Sequence, residues 1–379
     1  MSPPAEVRPT QPDPAAAGDQ SLTTAMAAIL DRIPATLVDT SARRSVLRVA
    51  AALPASLTQG PLGLELRLAG PTRVDVFAAA TPRTTSFQGL LACLSPRSSG
   101  DQPQGSAWAD PQRADDLATV LRQWQAGTGA INAVARYLLV EADAPPDPES
   151  QLAVPSIFLA PRAPRDIFRP GQPPNAFHRH VEATVLAAAE LSGVWPDPAT
   201  AEQLAAVVQV LADSSTDGGP GDGDIFAVGA MVSRAAGASL RIALRRLTVD
   251  QMQQILHVLQ RPRQADILAA WVSTTVAQRW VLACDVGPGA ESRVGVELAT
   301  AHDWQRADPT GWPELCAEVV AHGVALPERT AAGVALIDRH SNPLWGLAHI
   351  KVAADEHGVL PVGKLYVGLR HQPIDVGEG

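Results

Sequence analysis

Acids, bases and a few aromatic residues recur at alternate positions in short segments of this 379-residue chain. Glu65 alternates with Arg67, and Arg73 with Asp75 and Phe77. Further along stand Tyr137, Leu139, Glu141 and Asp143, then Arg241, Ala243 and Arg245, then Arg293, Gly295 and Glu297. His349, Lys351 and Ala353, and finally Lys364, Tyr366, Gly368 and Arg370, repeat the pattern. Residues two apart on a strand share a face, so each set projects one way and the intervening aliphatic residues the other. Such a face supports three kinds of chemistry. Arg, Lys and Tyr from neighbouring strands can hold an anion without a metal. A carboxylate can orient a ligand and take up its proton, and aromatic rings can face a cation.

The elements that must position these residues come in pairs. Short alternating runs occupy 63–70 and 73–80, 136–143 and 154–161, 224–234 and 239–247, 279–287 and 293–300, and 347–355 and 363–370. Gly, Pro or acidic turn residues split most pairs, as in β-hairpins. Helical patterns fill 21–52, 111–126, 179–192 with 199–212, 248–260 with 263–274, and 312–322; Asp250 marks one start and Gly323 one stop. The repeat is therefore a hairpin followed by one or two helices, which predicts an α+β fold with antiparallel pairing. No GxGxxG or Walker-type loop follows a strand.

Most hairpins have one strongly aliphatic face for helices to cover. An open sheet with its polar face in water is the simple alternative. Closing the ten strands into a barrel, with helices outside and the polar face lining the lumen, removes the edges and leaves a ligand chamber. Small residues on the polar face, Ala243, Gly295, Ala353 and Gly368, favour the concave barrel.

The remaining signals bound the problem. Residues 1–20 are rich in Pro, Ala and Asp and read as a disordered leader; 21–374 reads as one barrel domain, with loop insertions near 95–110, 143–152 and 213–224. A net charge of −9 argues against nucleic-acid or anionic-membrane partners. Neither a signal peptide nor a membrane span is expected, which makes the cytoplasm the default location. Cys93, Cys284 and Cys316 lack CxxC spacing, so neither disulfides nor a zinc site is expected. His178 and His180 read as surface residues, because i and i+2 on a helix do not face one site. Asp285, Glu297, Glu141 and Asp143 could gather around Mg²⁺, but pairing with lumenal arginines is the simpler reading. GDGD at 221–224 reads as a turn, and His349 alone is weak evidence for a proton carrier.

Five helix-and-hairpin units around a lumen resemble the prenyltransferase barrel, or ABBA fold, of the dimethylallyltryptophan synthase-type and cyanobactin-type enzymes. GLELRLAG resembles their first barrel strand, which carries a characteristic glutamate at the position of Glu65. Arg73 resembles their first diphosphate-binding arginine, SLRIALRRL their basic strand, and KLYVGLRH their C-terminal lysine-and-tyrosine strand. The resemblance implies transfer of an isoprenyl group from an allylic diphosphate to an aromatic small molecule or peptide side chain, in natural-product biosynthesis. Glu65 would take the acceptor's proton. Arg73, Arg241, Lys351, Lys364 and Tyr366 would hold the diphosphate, with no cofactor required and Mg²⁺ left open. Phe77, Tyr137, Phe226, Trp280 and Arg370 would line the pocket. Ala243 stands where the family has a lysine, SIFLAP lacks its usual lysine, and the chain holds only two tyrosines. These departures sustain the alternative of a non-catalytic barrel that binds a peptide or metabolite as an accessory biosynthetic protein.

Overall fold

A computed structural model describes residues 21–59, 62–82, 84–95, 108–162, 176–213, 223–231, 240–287, 293–300, 311–338 and 345–369. The leader reading for 1–20, and most of the stretches 95–110 and 213–224, lie outside these residues.

The long helical pattern at the start of the barrel domain is two helices, α1 (Leu22–Leu30) and α2 (Thr40–Ala52). Pro34 lies between them, and proline disfavours helix in the residue before it. Each helix starts on a side-chain cap: Ser21 accepts from the Thr24 amide, and Asp39 accepts from the Ala42 amide at 2.8 Å. A first hairpin follows, β1 (Leu62–Arg67) and β2 (Val74–Ala80). Then come α3 (Thr85–Leu94), α4 (Pro111–Gln125), α5 (Ala130–Val134), β3 (Ala135–Ala142) and β4 (Ser156–Pro161). The middle of the chain is α6 (Ala176–Ser192), α7 (Pro198–Asp213), β5 (Asp224–Gly229), β6 (Leu240–Arg245), α8 (Val249–Val258) and α9 (Pro262–Val272). It closes with β7 (Arg279–Val286), β8 (Val294–Ala299), α10 (Trp312–Ala321), α11 (Pro327–Asp338), β9 (Trp345–Asp355), β10 (Gly358–Val359) and β11 (Lys364–Leu369).

Every strand pairing is antiparallel. From β1 through β8 each strand pairs with the next, β8 pairs with β9, β9 with β11, and β11 with β1. The ring is therefore closed, with ten strands, and β10 is a short appendage on β9. The five expected hairpins are the five observed.

The helices pack outside. Leu64, Leu66, Val74 and Val76 of the first hairpin are at most 1% exposed, as are Ile242, Leu244, Val296, Ile350 and Val367 around the ring. α2 lies on β2, α6 on β4 and β5, and α9 on β9. Burying each such side chain contributes about 1.5–3 kcal/mol relative to leaving it in water. Alternation then forces the residues between them into the lumen.

Three helices, α3, the short α5 and α11, were not anticipated from the sequence. β5 ends at Gly229; Ala230 and Met231, within the run 224–234 that predicted it, are not strand, and 232–234 lie outside the described residues. Bulges interrupt β3–β4 at Tyr137, β5–β6 between Ile225 and Ala227, and β9–β11 between Gly368 and Leu369.

Candidate functional site

The registers stack the lumenal side chains of β2, β1, β11 and β9 in three adjacent layers. At one end Arg67 sits opposite Lys364, and Lys364 opposite Lys351. On the other side of β1, Leu66 pairs with Val74, and the Arg67 amide donates to the Arg73 carbonyl at 3.3 Å. Arg73, just before β2, and Arg67, Lys364 and Lys351 on β1, β11 and β9 thus form a row of bases. The next layer is Asp75, Glu65, Tyr366 and His349, again as direct partners. The third places Phe77 beside Gly63, with Gly368 beyond.

Glu65 is 2% exposed and is the hub. Tyr366 donates its hydroxyl to one carboxylate oxygen, and the Lys364 ammonium contacts the other. Lys351 donates to Glu297 at 3.1 Å, and His349 Nε2 lies 3.5 Å from the other Glu297 oxygen. The His349 and Tyr366 rings stack with centroids 4.4 Å apart, and Phe77 lies 5.8 Å from Tyr366. Phe77 occupies the space a side chain on Gly63 would need: a Cβ there would meet the ring at 2.1 Å. Gly295 likewise leaves room for the Lys351 stem to reach Glu297, since a Cβ would meet Lys351 Cε at 2.8 Å.

Asp75 is 1% exposed. Its Oδ1 accepts from the Ala144 amide at 3.0 Å and from Arg73 at 3.1 Å, while Oδ2 is buried with no hydrogen-bond donor among the described residues. Arg73 also reaches Asp143 at 3.5 Å. Burial pushes the Asp75 carboxyl up to about 7, reinforced by Glu65 and Asp143 and opposed by Arg73 and Lys364. Burial pushes His349 down to about 4, so it is neutral near pH 7 despite Glu297 beside it. Burial and the surrounding carboxylates raise Tyr366 well above the usual phenol range, so it stays a hydrogen-bond donor. Burial raises Glu297, but the Lys351 charge, His349 and the Lys351 hydrogen bond together outweigh it and hold the carboxyl below its usual range.

Elsewhere in the lumen the bases are tied down. Arg241 makes a bidentate pair with Asp285 at 2.7 and 3.0 Å, and Arg261 donates to the Asp285 carbonyl at 2.6 Å. Arg245 grips Asp224 in the same way at 2.8 and 3.0 Å, with Arg246 on the same carboxylate and Phe226 5.5 Å under the Arg245 guanidinium. Tyr137 projects into the lumen on β3, and burial raises its hydroxyl.

Of the residues expected at a diphosphate site, Lys364 and Tyr366 contact Glu65, Arg73 and Lys351 stand in the same row on carboxylates of their own, and Arg241 is held against Asp285. Phe77, Tyr137 and Phe226 face inward. Trp280 does not: it shares a face with Leu282 and Cys284 and packs on the outer core. The pairing of Val281 with Glu297 and of Asp285 with Arg241 puts the odd-numbered residues of β7 inside. Arg370 lies outside the described residues, as do the side chains of Phe177 and His178. Sequence reasoning missed Arg67 and Phe158 as site residues. Alternation pointed to Arg67. Phe158 is lumenal because it pairs with Leu139, which a strand apolar on both faces could not reveal. Burial pushes all three cysteine thiols up to about 12, which leaves them without nucleophilic character near pH 7. Among the described residues no three His, Cys, Asp or Glu are grouped to hold a metal ion, and no helix is long and apolar enough to cross a membrane.

The closed ring of ten antiparallel strands inside a helical layer is the barrel that alternation in the sequence predicts. No family model matches the sequence, and no curated protein matches it. The structure is similar to the crystal structure of AnaPT from Neosartorya fischeri, with a TM-score of 0.42 and 9% identity, covering 82% of this chain and 78% of that one.

Proposed function

We propose that the barrel transfers an isoprenyl group from an allylic diphosphate to an aromatic small molecule or a peptide side chain, as a cytoplasmic step in natural-product biosynthesis. The row of bases lying directly against the Glu65 layer carries this reading. Arg73, Lys364 and Lys351 would hold the diphosphate, whose charge rises as the allylic C–O bond breaks and its electron pair leaves with pyrophosphate. Tyr366 lies in the Glu65 layer and Phe77 in the next, 5.8 Å apart, and an allyl cation held between them would gain from their aromatic quadrupoles. The acceptor's nucleophilic atom attacks the cation, and its proton passes to Glu65. Lys364 connects the two halves of this scheme. An anion that draws the ammonium away from Glu65 leaves that carboxylate more basic for the proton.

The test is turnover. Purified protein is incubated with dimethylallyl or geranyl diphosphate and a panel of indoles, phenols and short peptides, with Mg²⁺ or with EDTA, and product mass is followed. One isoprenyl increment with equimolar pyrophosphate is expected, and Glu65→Gln should slow it about 10²–10⁴-fold. Absence of turnover across the panel removes the proposal, whether or not pyrophosphate binds.

A second reading, a barrel that binds a peptide or metabolite without breaking a bond, is favoured by a separate observation. Arg73, Lys351 and Lys364 each already touch a carboxylate. Under that reading Lys364→Ala and Arg241→Ala alter ligand binding while allylic diphosphate is never consumed.

A further inference from the structure

We infer that Arg67 is a further anion-contacting residue of this site, and that the row it completes takes a diphosphate in preference to a single phosphate. The inference rests on the isoprenyl-transfer reading for the identity of the anion. It stands on three observations about position and pairing.

Arg67 lies between Arg73 and Lys364, on the lumenal face of β1 with Glu65, while Leu66 and Leu68 on either side are at most 1% exposed toward the helices. The other three bases of the row each have a carboxylate: Asp75 and Asp143 for Arg73, Glu65 for Lys364, and Glu297 for Lys351. Arg67 makes no ion pair with any acid among the described residues. Finally, like charges directly opposite one another on neighbouring strands are destabilising. Here four bases stand side by side, so the row is poised for an anion that bridges them.

Its width points to the kind of anion. Four adjacent strands span about 14 Å at about 4.8 Å per strand spacing. One phosphate can engage two neighbouring bases of such a row. Two linked phosphates can engage Arg67 and Lys364 at the centre and still reach Arg73 or Lys351. The guanidinium of Arg67 offers a planar fork that a lysine at the same place cannot reproduce.

Titration calorimetry with inorganic pyrophosphate and with orthophosphate tests this on the full chain. Wild type should bind pyrophosphate more tightly than orthophosphate. Arg67→Ala should weaken pyrophosphate at least tenfold and orthophosphate less, with Arg67→Lys recovering part of the loss. The melting temperature of Arg67→Ala should stay level or rise, because a repulsive neighbour is removed; a merely structural arginine would lower it. Arg263→Ala, exposed on the outer helix α9, serves as the control and should bind like wild type. Wild type that ignores pyrophosphate, or an Arg67→Ala protein that binds it undiminished, overturns the inference. Pyrophosphate binding that depends on Arg67 without any isoprenyl transfer leaves it standing and defeats the transferase reading instead. Turnover with a silent Arg67→Ala does the reverse.

Discussion

At the scale of single residues, the lumen holds two buried groups whose titrations oppose each other. Asp75 has its folded pKa raised to about 7 from 3.8, so its contribution is fully present below pH 4 and is lost as pH rises through 7. His349 has its folded pKa lowered to about 4 from 6.5, so its contribution is present above 6.5 and is lost as pH falls through 4. Over the shared window the two slopes partly cancel, and the wild-type profile should be flatter than either alone. Single variants expose them. Asp75→Asn should raise the melting temperature more at pH 8.5 than at pH 5, by on the order of 1–4 kcal/mol of differential stability. An equal effect at both pH values would show that Asp75 is ionised across the whole range. The Phe77 ring is fixed by the absence of a side chain at Gly63. Gly63→Ala should cost about 1–3 kcal/mol in urea unfolding, and a Phe77→Ala background should remove most of that loss.

At the scale of elements, alternation made β1, β6, β8 and β11 legible in the sequence, because aliphatic and charged residues trade places along them. It failed where both faces are apolar. β4 reads SIFLAP and every residue is buried, so Phe158 could not be assigned to the lumen. β7 reads RWVLACDV, and Trp280 was placed on the wrong side for the same reason. α3 and α11 escaped notice because Gly89 and Gly333 lie inside them and blur a helical stripe. Both glycines are close-contact positions: a Cβ on Gly89 would meet Ser56 at 2.2 Å, and one on Gly333 would meet Leu365 at 3.1 Å. The row of bases was half legible. Each base could be put on its own strand's polar face, but register across β1 and β11 joins residues about 300 positions apart, and no local pattern fixes that. An element-scale test follows from the outer face. Leu66 is fully buried between β1 and the helices, so Leu66→Ala should destabilise by about 2–5 kcal/mol in chemical denaturation. Little or no loss would mean that β1 does not bear the outer core.

At the scale of the molecule, closure decides what the polar face is for. An open sheet would leave Glu65 and Lys364 in water, where an ion pair is worth little. In the closed ring these side chains are 2% and 13% exposed, and removal from water strengthens their interactions with any charge that enters. The same closure divides the lumen. On β6 and β7, and on β5 and β6, arginines are locked onto aspartates in bidentate pairs. On β2, β1, β11 and β9, bases line up beside a carboxylate, a tyrosine and a phenylalanine. A crystal structure of the protein grown with pyrophosphate separates these regions most directly. The account predicts density for the anion against Arg73, Arg67, Lys364 and Lys351, with the Lys364 ammonium drawn from Glu65 toward it. Pyrophosphate bound instead at Arg241 and Arg245, or nowhere in the barrel, would contradict it.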